Sequence, residues 1–425
     1  MAALFGAAHR NWLMINPSSV PKSSKPLVFG ILGAADIGPA AIILPAKNHP
    51  DVLLQTVAAR DPSKATAYAK KHGIPKIANT YQDILDDPNI DCVYIPLPNG
   101  LHYTWAQRAL KAGKHVLVEK PSVNNTTEAE RLFLSSNPTL PSSPSASSPP
   151  AVLEAAHYAF HPAWTLFMSY VTPSAVENAK TSLWVPRWFF GPDDIRFNFD
   201  LGGGAMMDLG AYTASALTRI FGSVAEECVS CETNTIAGGD PRCDRRYTAH
   251  YRFPNGGVGE MEGDLKAPLH KITPKVYVAH KPVVIDPAEA GVKIGDGEEV
   301  LRTRTIHFSN FVLPSAFHSI AVSDQFAVQA VGAAAGTPPR KAWKKNKTLT
   351  AYTWREAGLP GLETQPGEPH WSTYRYQLEQ FVNKVRGRDT PQWVEGKDSV
   401  ATMRMIDMAY TTAKLPLRPT SEIES

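Results

Sequence analysis

From Leu27 to about His157, short apolar runs alternate with amphipathic stretches. The apolar runs lie at 27–33, 53–60, 91–97, 115–119 and 151–157, and the helix-like stretches at 62–72, 81–86, 100–112 and 125–136. Continuous apolar strands separated by helices predict a parallel sheet covered on both faces, a doubly wound α/β domain over 26–157. A Ser/Pro-rich insertion, NPTLPSSPSASSPP at 137–150, reads as a surface loop before the last strand. Residues 1–25 form an N-terminal extension.

Beyond His157 the periodicity changes. A helix is expected over 204–221, then strand-like runs at 246–253, 257–264 and 276–285 between Gly/Pro turns. The polar stretch 340–370 reads as loop-rich, and helices at 373–385 and 398–413 close the chain. Residues 158–425 are therefore expected to form an α+β domain around a mostly antiparallel sheet.

Composition changes this picture little. The 425 residues carry a formal charge of +3, with 43% hydrophobic and 20% charged residues, as in globular proteins. This near-neutrality speaks against a nucleic-acid or membrane partner, and no apolar run reaches the ~18 residues of a membrane helix. His9, Arg10 and Asn11 interrupt the apolar N-terminus, so no cleaved secretion signal is expected. Four cysteines (Cys92, Cys228, Cys231 and Cys243) are too few for a disulfide scaffold, and a reducing cytoplasm is the simplest setting.

Three segments carry candidate chemistry. The first strand runs into Gly30, Gly33, Ala35, Asp36, Ile37 and Gly38. A glycine-rich turn before a helix N-terminus lets a pyrophosphate approach backbone N–H groups, although a glycine at a strand end also simply makes a turn. The second strand ends at Arg60-Asp61, with Lys64 close by. An acid there holds the ribose of NAD and an Arg accommodates the 2′-phosphate of NADP. Arg60 and Lys64 tilt the reading to NADP over NAD, unless they are solvated charges at a corner. Pro98, Asn99 and His102 follow the next strand, and Glu119 and Lys120 the one after. Ligands bind outside the carboxyl ends of such strands. Lys120, before Pro121, reads as an active-site cation or as an ordinary surface lysine. Within LGGGAMMDLGAY, Asp208 and Tyr212 lie four residues apart on one helical face, with Met206, Leu209, Thr213, Leu217 and Ile220 facing the core. Tyr212 suits proton transfer if Lys120 favours its anion; alternatively it hydrogen-bonds Asp208 for structure alone.

In this order, GILGAADIGPAA, IPLPNGLH, VEKP, LEAAHYAFHPAW and LGGGAMMDLGAY resemble the Gfo/Idh/MocA oxidoreductase family, within it the branch of dihydrodiol and NADP-dependent xylose dehydrogenases. The resemblance runs from about residue 26 through WSTYRYQLEQFV to the end. It implies a Rossmann domain, an open-faced C-terminal sheet that dimerises, and hydride transfer between NADP and a sugar or other polyhydroxylated cyclic substrate. It assigns catalysis to Lys120, Asp208 and Tyr212. It sets Gly30, Gly33, Ala35, Ile37, Arg60, Pro98, Asn99, His102, Glu119 and Lys120 along the cofactor. One departure stands out: relatives commonly carry Arg where this chain has Ala159, on a strand end expected to open onto the Lys120 crevice. That substitution suggests altered specificity or, as an alternative, a cofactor-binding member with non-redox activity or a regulator.

Other clusters are set aside. Cys228 and Cys231 with Cys243 and His250 could suggest zinc, but residues three apart on a strand face opposite ways. The basic run 340–347 reads as a solvated surface, and His161 before Pro162 as a helix start.

Overall fold

The computed structural model describes residues 2–134, 149–236, 238–334 and 336–422; all but the last two residues of the Ser/Pro-rich segment lie outside them. Six parallel strands form the first sheet: β1 (Leu27–Leu32), β2 (Val52–Ala58), β3 (Lys76–Ile77), β4 (Cys92–Ile95), β5 (His115–Val118) and β6 (Val152–Glu154). Their order is β3-β2-β1-β4-β5-β6, so the chain reverses direction across the sheet between β1 and β4. This is the doubly wound architecture expected, and the reversal leaves a crevice at the strand ends. Local signals fix its helices. Asp61 caps helix Pro62–His72 by accepting from the Ser63 amide at 2.9 Å, and Gly73 ends it in a left-handed conformation. Thr80 and Asp83 form a reciprocal capping box before Tyr81–Asp86.

The second sheet is mixed. Its strands are β7 (Val176–Pro186), β8 (Glu227–Thr235), β9 (Asp244–Arg252), β10 (Val258–Ala267), β11 (Lys275–His280), β12 (Val283–Ile285), β13 (Glu298–Ser309), β14 (Ser319–Ala330) and β15 (Lys341–Leu349). They run in the order β15-β14-β13-β11-β7-β10-β9-β8, with β12 paired to β13; only β7 and β10 pair in parallel. Along β14, Ile320, Val322, Phe326 and Val328 point inward in strict alternation, leaving the opposite face half-exposed. Helix Gly210–Phe221 lies across β7 and β10, and helix Gly396–Thr412 packs on it. The other C-terminal helix, Thr373–Val385, returns to the first sheet: Phe381 meets Phe29 at 6.0 Å and the Arg375 Nε donates to Asn48 Oδ1 at 3.0 Å. The N-terminal helix Ala2–Ile15 docks through Arg10, whose guanidinium lies 3.7 Å above the Tyr352 ring.

Three expectations need correction. The stretch read as loop from 340 contains β15, an edge strand held by Trp343 stacked on Phe326 at 5.1 Å. Its lysines hide the alternation, and edge strands use lysine to discourage further pairing. The helix expected over 204–221 is two helices, Ala205–Asp208 and Gly210–Phe221, joined at Leu209. The apolar run 276–285 divides at Lys281–Pro282 into β11 and β12.

The turn before those two helices is clamped by the C-terminal tail. Arg418 is fully buried; its Nε donates to Gly203 O at 2.8 Å and its Nη2 stands 3.5 Å from Asp244 Oδ1. Asp244 also accepts from the Tyr410 hydroxyl at 2.8 Å and the Met206 amide at 2.7 Å. Gly204 has φ +129°, and a Cβ there would stand 2.3–2.6 Å from Arg418, Asp244 and Tyr410. Arg418→Met leaves Asp244 as an uncompensated buried charge and is expected to cost about 3–5 kcal/mol in urea unfolding. Adding Asp244→Leu should recover part of that loss; an unchanged single variant would refute the clamp.

Candidate functional site

The glycine loop begins where β1 ends. Gly33 has φ +124°, closed to most side chains, and its amide donates to Ala58 O at 2.9 Å. Among the described residues, no backbone carbonyl accepts from the amides of Ala34, Ala35 or Ile37. These free donors lie before a helix that opens with the π-turn Pro39–Ile43 and continues through Leu44–Lys47, and they suit a dinucleotide pyrophosphate. Gly38 closes the six-residue loop. A Cβ there would lie 2.1 Å from the Tyr68 hydroxyl, which itself donates to Ala35 O at 3.3 Å. The loop is therefore Gly33–Gly38, with Ala35 at the second glycine position. Sequence reasoning included Gly30 instead of Gly38. Gly30 lies inside β1, where a Cβ would meet Ile84 Cγ2 at 2.3 Å, so it serves helix packing and not the cofactor.

Past β2, Arg60 and Lys64 are exposed. Asp61 is engaged by Ser63, whose amide and hydroxyl it accepts at 2.9 and 2.7 Å. Pro98 and Asn99 are half-exposed at the end of β4, and Asn99 Nδ2 donates to Gly202 O at 3.0 Å, joining the first domain to the glycine turn of the second. His102 and Glu119 do not border the crevice as expected. His102 is buried with its ring nitrogens 2.7 and 2.6 Å from Pro121 O and Leu97 O, and burial, opposed by those carbonyls, pulls it down to about 4. Glu119 turns inward to accept from the Tyr94 hydroxyl at 2.8 Å, and burial raises its carboxyl.

Lys120, Asp208 and Tyr212 come together from both domains. Lys120 Nζ lies 2.5 Å from Asp208 Oδ1, donates to Asp208 O at 3.0 Å, and stands 4.7 Å above the Tyr212 ring. The other carboxylate oxygen of Asp208 accepts from Arg196 Nε at 2.7 Å. Burial works to raise Asp208, but the charges of Lys120 and Arg196 and their hydrogen bonds reverse this and hold it well below the usual carboxylate range. The Tyr212 hydroxyl meets His157 Nε2 at 2.9 Å, and the His157 ring packs at 4.0 Å against Tyr374, tilted by 36°. Burial first, then Tyr374, Glu119 and Asp208, push the Tyr212 phenol well above its usual value of 10. Lys120 thus faces the Tyr212 ring and not its hydroxyl, and its charge is shared with Asp208.

Arg196, His157 and Tyr374 escaped the sequence reading. Arg196 sits in the single helical turn Ile195–Phe197, and only its position before the glycine turn hinted at a role. His157 begins the HYAF stretch of a recognised motif, where attention fell on Ala159. Ala159 does not open onto the Lys120 crevice. It lines a separate cavity of about 230 Å³ with Phe160, Trp164, Met168, Arg219 and Trp393. Arg219, which lines the same cavity, pairs with Asp398 at 3.1 Å. His161 caps helix Pro162–Met168 as expected, accepting from the Ala163 amide at 3.1 Å. The reason for separating Cys228 from Cys231 fails. A bulge at Val229 sets them against Tyr251 and Ala249, residues on one face of β9.

Models of known families and proteins match this chain along much of its length. The model of the Gfo/Idh/MocA oxidoreductase family, NAD-binding Rossmann fold, matches residues 27–136, and that of the GFO/IDH/MocA C-terminal domain matches 176–280. D-xylose 1-dehydrogenase (NADP(+)) 2 of Haloferax volcanii is 33% identical over 246 residues, 57% of this chain and 70% of that one. A trans-1,2-dihydrobenzene-1,2-diol dehydrogenase of Xenopus tropicalis is 27% identical over 48% of this chain and 59% of its own. Several curated relatives are thus matched over little more than half their length. The solved levoglucosan dehydrogenase bound to NADH superposes with a TM-score of 0.66 over 93% of this chain and all of that one, at 18% identity, which shows the fold.

The buried histidines set an acid limit. Burial lowers His49 to about 2, His157 to about 3, and His102 and His318 to about 4, from an ordinary 6.5. The unfolded chain therefore binds protons below about pH 6.5 that the folded one refuses, so stability is full above that value and falls as pH drops toward 4. The urea midpoint is expected to fall from pH 7.5 to pH 5. A flat profile would contradict the neutral, buried state of these rings.

Proposed function

The chain belongs to the Gfo/Idh/MocA oxidoreductase family, and from that premise we propose that it is an NADP-dependent dehydrogenase or reductase of a sugar or another polyhydroxylated cyclic compound. The observation that carries this reading is the convergence of Lys120, Asp208 and Tyr212 beside the carboxyl ends of the first sheet, where dinucleotide folds place their chemistry. A bound nicotinamide supplies the carbon that gives or takes the hydride. Gly33, Ala35 and Ile37 offer the backbone cradle for the pyrophosphate, with Pro98 and Asn99 further along the crevice. The exposed Arg60 is available to a 2′-phosphate, and the engagement of Asp61 as a helix cap favours NADP over NAD.

Tyr212 exchanges the proton. As a phenol held neutral by burial, it donates to the carbonyl oxygen of a ketone as hydride reaches the carbon; in reverse it accepts the hydroxyl proton as hydride leaves. Lys120 stabilises the developing alkoxide, and Asp208, fixed by Arg196, aims the ammonium. Ala159 lines a cavity apart from Lys120, so its lack of charge bears on that cavity and not on the proposed chemistry. The homodimer through the C-terminal sheet that the family resemblance implies would use its half-exposed face, where Thr303, Gln325, Ala327 and Trp343 border a groove of about 520 Å³. Free thiols at Cys92, Cys228, Cys231 and Cys243 suit a reducing cytoplasm.

NADPH absorbance over a panel of aldoses, ketosugars, dihydrodiols and dicarbonyls tests the reading; no change with any compound, despite NADP binding, would reject it. Tyr212→Phe is expected to lower kcat by about 10²-fold or more with NADP affinity kept. Arg60→Ala should weaken NADP by about tenfold and leave NAD within about twofold. Equal losses for both cofactors would withdraw the NADP preference.

A further inference from the structure

His157 is buried to 1% exposure in the short helix His157–Phe160 that follows β6. Its Nε2 lies 2.9 Å from the Tyr212 hydroxyl, while its Nδ1 is buried with no hydrogen-bond partner among the described residues. The Tyr374 ring packs against it at 4.0 Å with a 36° tilt. Burial drives the ring down to about 3, so at neutral pH it is an imidazole with a single N–H.

That single proton has two addresses. On Nδ1 it would be a buried N–H with no acceptor, the kind of orphan that folded proteins tolerate least. On Nε2 it meets the Tyr212 oxygen, and the unmet atom at Nδ1 is only a lone pair. We propose that His157 is a positioning residue of the reaction: it carries its proton on Nε2 and donates it to the Tyr212 oxygen, stabilising the tyrosinate left when the phenol gives up its proton.

This inference rests on the role given above to Tyr212. It supplies the donor that the phenolate needs, because Lys120 lies over the ring and is bound to Asp208. The other titratable groups facing Tyr212 cannot take this part. Asp208 and Glu119 carry or develop negative charge, which opposes the anion. Tyr374 shares a hydrogen bond with Tyr212 that raises Tyr212 and lowers Tyr374, so Tyr212 is its donor and Tyr374 its acceptor. Tyr158 lies with its ring centroid 6.1 Å away and its hydroxyl donating to Ser215. In ketone reduction the Tyr212 O–H bond breaks, its proton passes to the substrate oxygen, and the electron pair stays on an oxygen already accepting from His157.

The decisive measurement is the tautomer. In the full chain labelled with 15N-histidine, the long-range proton–nitrogen spectrum reports which ring nitrogen is protonated, and His157→Gln identifies the signal by its loss. A neutral ring protonated on Nε2 is expected; protonation on Nδ1 overturns the proposal. Kinetics supply the second arm. His157→Leu should lower kcat about tenfold or more, with KM and NADPH affinity within about twofold, and move the basic limb of the kcat profile to higher pH. His157→Gln, which retains an N–H donor, should recover part of kcat and return the limb toward wild type. Equal kcat in all three proteins overturns it too. If the wild-type protein turns over none of the panel, the functional reading falls and takes this role with it, whereas Nδ1 protonation in an active protein overturns this role alone.

Discussion

A carboxylate held between two cations governs the centre of this molecule. Asp208 is mostly shielded from water, so its charge survives only because Lys120 and Arg196 approach it from opposite sides. Lys120 comes from the first domain, at the end of β5, and Arg196 from the short helical turn Ile195–Phe197 that follows β7. The same three groups therefore join the two domains and polarise the crevice. Neither cation can leave without stranding a buried charge, so the ion pairs hold Lys120 over Tyr212.

This arrangement depends on the turn that delivers Asp208. Gly202, Gly203 and Gly204 press against Asn99, the carbonyls of 195–198 and the Arg418–Asp244 pair in turn, leaving no room for side chains. The chain thus reaches Asp208 at an angle set by three tight contacts. The break at Leu209 then lets Tyr212 enter beneath Lys120 while the rest of its helix lies across β7 and β10. A backbone constraint, a buried ion pair and a reactive phenol are consecutive links of one chain of causes.

Much of this was readable from the sequence because its signals are local. Continuous apolar runs announce β1, β4 and β5, the glycine turn announces the loop, and Lys120, Asp208 and Tyr212 follow recognisable strand ends and helix starts. What stayed hidden depends on distance or on backbone irregularity. His157 and Tyr212 meet across 55 residues, and nothing near either histidine or tyrosine foretells it. Gly30 and Gly38 look alike in sequence, yet one faces Ile84 and the other Tyr68. A bulge at Val229 reverses which way Cys231 faces, and spacing alone cannot reveal it. In β15 the lysines that protect an edge conceal the strand.

The helix Thr373–Val385, which covers the first sheet near Phe29, has a consequence for how the protein is made. Synthesis runs from the N-terminus, and domains tend to fold as they emerge. Here β1 to β6 leave the ribosome long before the helix that packs on Phe29 and on the stretch Pro39–Lys47. The nascent first domain therefore carries an uncovered apolar face throughout the synthesis of the second sheet. Its completion waits for almost the last part of the chain, and until then that face is open to other chains.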